Sequence, residues 1–184
     1  MRSSMIHTNT KAMLKAWQRM MQNGSAEDSG PCADDYPGLL GRLFVIEQMG
    51  PNTIPFKIAG ESLPSLLGRD LIGTNFLDLW IGADRQLASA LLASVKQYNR
   101  PGIIRLRGET QHGRRLDVEI SIAPLEPRQN GRLRFLSLYQ TLGGEAMLRN
   151  QPICLHRIKS VFPPEPSSQS DTPKPHLTLV SGND

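Results

Sequence analysis

The stretch from Phe56 to Trp80 decides the fold of this chain, and it reads FKIAGESLPSLLGRDLIGTNFLDLW. It opens as a strand in which every second residue is apolar, and Ala59-Gly60 ends that strand. The proline and glycines that follow allow only short helical pieces. An amphipathic helix is then predicted from about Asp84 to Tyr98, and three more strands are predicted after it.

This succession of a strand, short helices, one longer helix and three strands resembles the PAS domain, in particular its compact alphaproteobacterial type. The resemblance is carried by the motifs FKIAGESL, LLGRDLIGTNF and LDLW, and it covers roughly Tyr36 to Thr141. It implies an α+β fold with a five-stranded antiparallel sheet in the order 2-1-5-4-3, and with the short helices and the longer helix on one face. It also implies a sensory role, although a shared fold does not define the signal.

The strand patterns agree with this order. The first strand, Arg42 to Gln48, is apolar in both phases, which is typical of a strand buried on both faces. The second, Thr53 to Ala59, contains Pro55, and a proline within a strand is tolerated at the edge of a sheet. The order 2-1-5-4-3 makes this strand an edge. The last three strands are predicted at Ile103–Thr110, Arg114–Ala123 and Leu133–Gln140.

Four regions are predicted along the chain: an N-terminal helix and linker (1–35), the PAS domain (36–142), a basic C-terminal segment (143–162) and a disordered tail (163–184). The helix, from Thr10 to Gln22, has an apolar stripe that we expect to cover part of the sheet, in the same chain or across a homodimer. Its candidate contacts with a second copy or a protein partner are Met13, Trp17, Met20 and Met21.

Composition predicts a cytoplasmic protein that does not insert into membranes. No apolar run approaches the roughly 20 residues that span a bilayer, and no secretory signal is recognisable. The two cysteines, Cys32 and Cys154, lie far apart in segments that we expect to be peripheral, which fits a reducing compartment better than a disulfide scaffold.

Basic residues are concentrated late in the chain, which carries a net charge of +4. Residues 101–160 hold ten Lys/Arg against five Asp/Glu. Asp117 and Glu119 on the middle strand would stand between arginines of its neighbours, so we favour cross-strand ion pairs over a phosphate-binding face. Arg114 and Arg115 have no evident acidic partner, and nucleic-acid binding is the least favoured alternative. The flanking arginines are Arg105, Arg107, Arg132 and Arg134.

The sequence shows no catalytic or metal-binding constellation. There is no Ser/His/Asp or Cys/His set and no carboxylate pair in a plausible cleft, so we expect a protein that is not an enzyme. The four histidines are predicted to lie in tails or a turn, without the spacing that would let them share a metal ion. They are His7, His112, His156 and His176.

Cofactors of the PAS family can be tested against this sequence. Flavin-photosensing members have a reactive cysteine in a short helix before the longer one, whereas the matching stretch Gly73–Leu77 has none. Haem-binding members usually supply a histidine from the longer helix, and residues 84–100 contain none. Flavin photochemistry and histidine-ligated haem are therefore disfavoured, and the identity of any cofactor stays unknown.

Seven apolar residues are predicted to line the space between helices and sheet. They form either a filled core or a pocket for a small noncovalent ligand, and the filled core is the favoured alternative. We therefore predict a regulatory or sensory module that acts through protein contacts, with or without a small ligand. The alternative is an interaction adaptor without a ligand. The seven residues are Phe56, Phe76, Leu79, Trp80, Ile104, Leu106 and Ile120.

Overall fold

The computed structural model describes residues 6–23, 38–127 and 129–165. The predicted linker (24–35) and nearly all of the predicted disordered tail therefore lie outside the described residues, as do Cys32 and His176. The helices are α1 (Thr8–Asn23), α2 (Ser62–Leu67) and α3 (Gly82–Tyr98), and 3-10 turns occupy Leu40–Arg42, Phe76–Leu79 and Glu145–Leu148. The strands are β1 (Leu43–Glu47), β2 (Phe56–Ala59), β3 (Gly102–Thr110), β4 (Arg115–Leu125), β5 (Arg134–Thr141) and β6 (Ile153–Phe162).

All six strands form one sheet, in the order β2-β1-β5-β4-β3-β6, and all pairings are antiparallel. The predicted order of the first five strands is confirmed, with β2 at an edge. The predicted count is corrected from five strands to six, because β6 pairs with β3. Two register shifts in this pairing interrupt the alternation by which a strand is recognised. Pro152 directly precedes β6.

The main core lies between one face of the sheet and the helices α2 and α3. Helix α3 buries Ala88, Leu91, Leu92 and Val95. Leu87, which the sequence pattern places on the same stripe, is 46% exposed. Four residues of a helix make one full turn plus about 40°. Residues spaced four apart therefore rotate gradually around the helix, and Leu87 at one end of the stripe no longer faces the sheet.

Helix α1 packs on the opposite face of the sheet, which is called here the outer face. It buries Met13 and Trp17 in a second apolar cluster, separate from the main core. The expected covering of the sheet by this helix is therefore made within the same chain. Among the described residues, no helix is long and apolar enough to cross a membrane. The sheet-side members of this outer cluster are Leu39, Ala123 and Leu138, with Leu43, Leu125 and Leu136 packed against them.

Gly68 ends α2 where the chain passes close to the start of β6. It adopts a left-handed conformation with φ of 66°, which a residue with a Cβ rarely adopts. A Cβ at this position would lie 2.7 Å from the Cβ of Pro152, closer than non-bonded carbon atoms approach. The contact between α2 and β6 therefore requires a glycine here.

We expect Gly68→Ala to lower the free energy of unfolding by roughly 1–3 kcal/mol more than Gly73→Ala does. Gly73 also has a positive φ, of 79°, but an added Cβ there meets nothing within 4 Å. The two variants share the backbone strain and differ in the clash with Pro152. Urea unfolding followed by circular dichroism measures the difference. Equal losses in the two variants would show that α2 and β6 are not in close contact.

Candidate functional site

The seven predicted pocket residues come together in the main core, and none is more than 6% exposed. Aromatic rings fill much of the space between them. The ring centroids of Phe76 and Trp80 are 4.8 Å apart, and those of Phe56 and Phe76 are 5.8 Å apart. Phe44, which was not among the candidates, joins the group at 5.2 Å from Phe56. The candidates thus pack against one another, and their role as a ligand site stays a prediction.

His156 was expected in a peripheral segment, and the structure corrects this. It lies on β6 opposite Gly108 and is 2% exposed. Its Nε2 atom is 2.9 Å from the hydroxyl of Tyr139 on β5, and its ring centroid is 6.4 Å from that of Trp80. Gly108 leaves room for Ile153, because a Cβ at Gly108 would lie 2.8 Å from the Ile153 side chain. Sequence reasoning missed this residue because it missed β6.

The His156–Tyr139 pair is neutral at physiological pH. Burial lowers the pKa of His156 to about 4, the positive charge of Arg69 adds to the shift, and an interaction with the Leu79 carbonyl opposes it. Burial raises the pKa of Tyr139 far above its usual value, and the carboxylate of Glu145 acts in the same direction. The contact is therefore a hydrogen bond between an uncharged phenol and an uncharged imidazole.

A cavity of about 120 Å³ lies beside His156, where α2, the 3-10 turn at Phe76–Leu79 and β6 meet. Cys154, which is exposed, stands at the same cavity and donates a hydrogen bond to the Glu109 carbonyl at 3.4 Å. Within the described residues, no three His, Cys, Asp or Glu side chains are grouped closely enough to hold a metal ion. The lining consists of Leu67, Arg69, Asp78, Leu79, Ile153, Cys154 and His156.

The expected cross-strand ion pairs are present on the outer face. Arg105 lies 3.0 Å from Glu119, and Asp117 lies 3.6 Å from Arg107. Lys159 on β6 also reaches Asp117, at 2.8 Å, and this hydrogen bond lowers the pKa of Asp117. These pairs account for much of the basic excess on β3 and β6.

Three details of this face differ from the expectation. Arg132 pairs with Glu47 on β1 at 3.3 Å, and Arg115 pairs with Glu109 at 3.0 Å although no acidic partner was evident for it. Arg114 donates to the Met147 carbonyl at 3.3 Å. Glu119 is fully buried instead of solvated, because the start of α1 covers it.

Helix α1 is joined to the outer face by hydrogen bonds at three places. The backbone N–H of His7 donates to Glu119 at 3.2 Å, and Asn9 donates to Gln140 at 2.9 Å. The indole N–H of Trp17 donates to the Pro124 carbonyl at 2.6 Å. Of the four contact candidates, Met13 and Trp17 are buried and Met21 is packed against the outer cluster, whereas Met20 is half-buried outside it.

A six-stranded antiparallel sheet with helices on both faces, and with a main core that contains a cluster of aromatic rings, defines the fold class. Residues 5–140 match the PAS domain family. The chain therefore belongs to the PAS domain family and contains a sensory domain of this type. The matched region includes α1 and ends in β5, before β6 begins.

Solved structures similar to this chain are light-oxygen-voltage (LOV) proteins. The Rhodobacter sphaeroides LOV protein is 16% identical, with a TM-score of 0.46, over 78% of this chain and 72% of that one. The blue-light photoreceptor Aureochrome1 LOV is 12% identical, with a TM-score of 0.43, over 80% of this chain and 91% of that one. An RNA-binding LOV receptor is 16% identical, with a TM-score of 0.42, over 82% of this chain and 38% of that one. No curated protein matches the chain.

We expect the buried His156 to make stability depend on pH. Its pKa is about 6.5 in the unfolded chain and about 4 in the folded chain. Between pH 4 and pH 6.5 the unfolded chain binds more protons than the folded chain. The free energy of unfolding therefore has its full value above pH 6.5 and decreases as the pH falls from 6.5 to about 4. The slope approaches at most about 1.4 kcal/mol per pH unit. Urea unfolding at a series of pH values measures it.

His156→Gln should be less stable at neutral pH and show a shallower slope between pH 6.5 and 4. His112→Gln is the control, because His112 is exposed in the turn between β3 and β4 and should keep the wild-type slope. The lowered pKa of Asp117 adds its own slope, which is centred below pH 3.8 and is shared by the wild type and both variants, so it cancels in the comparison. A wild-type slope in His156→Gln would contradict the assignment.

Proposed function

We propose that this PAS domain is a non-enzymatic regulatory module of the cytoplasm that acts through protein–protein contacts, and that α1 and the outer face form the contact surface. One observation carries the proposal: the outer cluster is separate from the main core and is covered by a single helix. A second apolar cluster of this kind is a surface that a partner can share or take over.

A second copy of the chain is the partner that this arrangement favours. Among the described residues, the contacts that hold α1 come from the sheet and from Leu39 beside it, so a helix from a neighbouring copy would satisfy the same groups. Fourteen residues separate Asn23 from Gly38 in the sequence, and an extended chain of this length can reach up to about 45 Å. The half-buried Met20 adds apolar surface beside the outer cluster.

The close packing of the main core supports action through protein–protein contacts over binding of a small ligand in the core. Phe56, Phe76 and Trp80 occupy with their own rings the space in which a core ligand would lie. A ligand there would need these rings to move, which costs packing energy. A sensor with a small noncovalent ligand in the core is the alternative function. It predicts an additional mass in native mass spectrometry of gently purified protein.

We expect the full chain to self-associate in the micromolar range and Met20→Lys to weaken the association at least about tenfold. The added ammonium would have to lose water in an interface through α1. Met20 lies outside the outer cluster, so the fold of each copy should be preserved. Sedimentation equilibrium measures the dissociation constants, and circular dichroism checks the fold.

Leu87→Lys is the control, because Leu87 is an apolar, exposed residue on α3, across the sheet from α1. It should change the dissociation constant less than about twofold. A chain that remains monomeric throughout the micromolar range would rule out the homodimer. Equal weakening by both lysine variants would place the contact elsewhere than α1.

A further inference from the structure

We propose that the cavity beside β6 binds a small oxyanion. The cavity borders the main core, through Leu67, Leu79 and Ile153, and has a volume of about 120 Å³. A cavity of about 150 Å³ is known to hold benzene, so this one has room for about four to six non-hydrogen atoms. A phosphate or a short carboxylate fits this volume, whereas a flavin or a haem does not.

The first group that points to a ligand is the imidazole of His156. Its Nε2 atom is occupied by the Tyr139 hydroxyl, which leaves Nδ1 as its other polar atom. Nδ1 is buried, and although the Leu79 carbonyl interacts with the imidazole, no hydrogen bond of normal geometry reaches Nδ1 from the described residues. Burial of an unpaired polar nitrogen is unfavourable, so a bound group that pairs with it would be stabilised.

Nδ1 is a hydrogen-bond donor. The phenol of Tyr139 is protonated, and His156 is its hydrogen-bond partner among the described residues, so the hydroxyl donates its proton to Nε2. The imidazole is neutral and holds one proton, which then sits on Nδ1. The site therefore needs an acceptor.

The second group is the guanidinium of Arg69, which is exposed at the mouth of the cavity. It forms no ion pair with any carboxylate of the described residues, yet it is close enough for its charge to act on His156. Asp78 also lines the cavity, but Arg85 neutralises it through a contact of 2.7 Å. One uncompensated positive charge thus remains.

These groups define the ligand class. A guanidinium offers up to five N–H donors in a plane and binds phosphates and carboxylates by paired hydrogen bonds. The imidazole N–H adds a buried donor at the inner end, whereas the Cys154 thiol already donates to the Glu109 carbonyl. Because the groups of the cavity that lack a partner among the described residues, Nδ1 of the His156 imidazole and the Arg69 guanidinium, both donate, the complementary ligand carries negative oxygen atoms. Such a ligand would connect β6 to α2 and to the 3-10 turn.

The test is isothermal titration calorimetry of the full chain with sodium phosphate and, separately, sodium acetate, at neutral pH and constant ionic strength. We expect saturable one-to-one binding of at least one anion. Arg69→Gln should weaken it at least about tenfold. Arg100→Gln removes the same charge from an exposed residue outside the cavity and should weaken it less than about twofold. The imidazole ¹⁵N resonances of His156 should shift at saturation.

Binding of phosphate alone would support a tetrahedral oxyanion as ligand, and binding of acetate alone a carboxylate. Failure of both anions to saturate, or equal weakening by the two arginine variants, would overturn the proposal. This inference does not depend on the proposed contacts of α1, because the cavity lies on the opposite side of the sheet. The dissociation constant of the dimer and the affinity for an anion are measured separately, so either can fail alone.

Discussion

The burial of β4 on both faces is the constraint on which the rest of the structure depends. One face of this strand contributes Val118, Ile120 and Ile122 to the main core, and the other contributes Glu119 and Ala123 to the contact with α1. A central strand of this kind requires a covering layer on each side. The two layers are α2 with α3 on one side and α1 on the other.

The burial of β4 on both faces places the carboxylate of Glu119 out of contact with solvent. A carboxylate without solvent is strongly unfavourable unless its charge and its lone pairs are satisfied. Arg105 supplies two N–H donors to one oxygen, and the backbone of His7 supplies a donor to the other. The ion pair and the position of α1 are therefore linked: detachment of the helix would return water to the carboxylate and expose the apolar outer cluster beside it.

Strand β6 gives the molecule a second buried polar group, on the core face. His156 enters the core opposite Gly108, and Tyr139 occupies one of its nitrogens. Gly68 lets α2 approach the start of β6, and together these contacts enclose the cavity at the Arg69 side. A site of this kind is assembled from three parts of the chain that are distant in sequence.

The sequence by itself determined the first five strands, α3 and the apolar stripe of α1, because these depend on local periodicity, and the order of the strands followed from the resemblance to the PAS domain that the motifs between Phe56 and Trp80 carry. It also predicted the clustering of the seven core residues. Only the tertiary structure decided that β6 joins the sheet, that Glu119 is buried and that His156 has an unpaired nitrogen beside a cavity. Each of these depends on contacts between distant segments. The register shifts in the pairing of β6 also remove the alternation from which this strand could have been predicted.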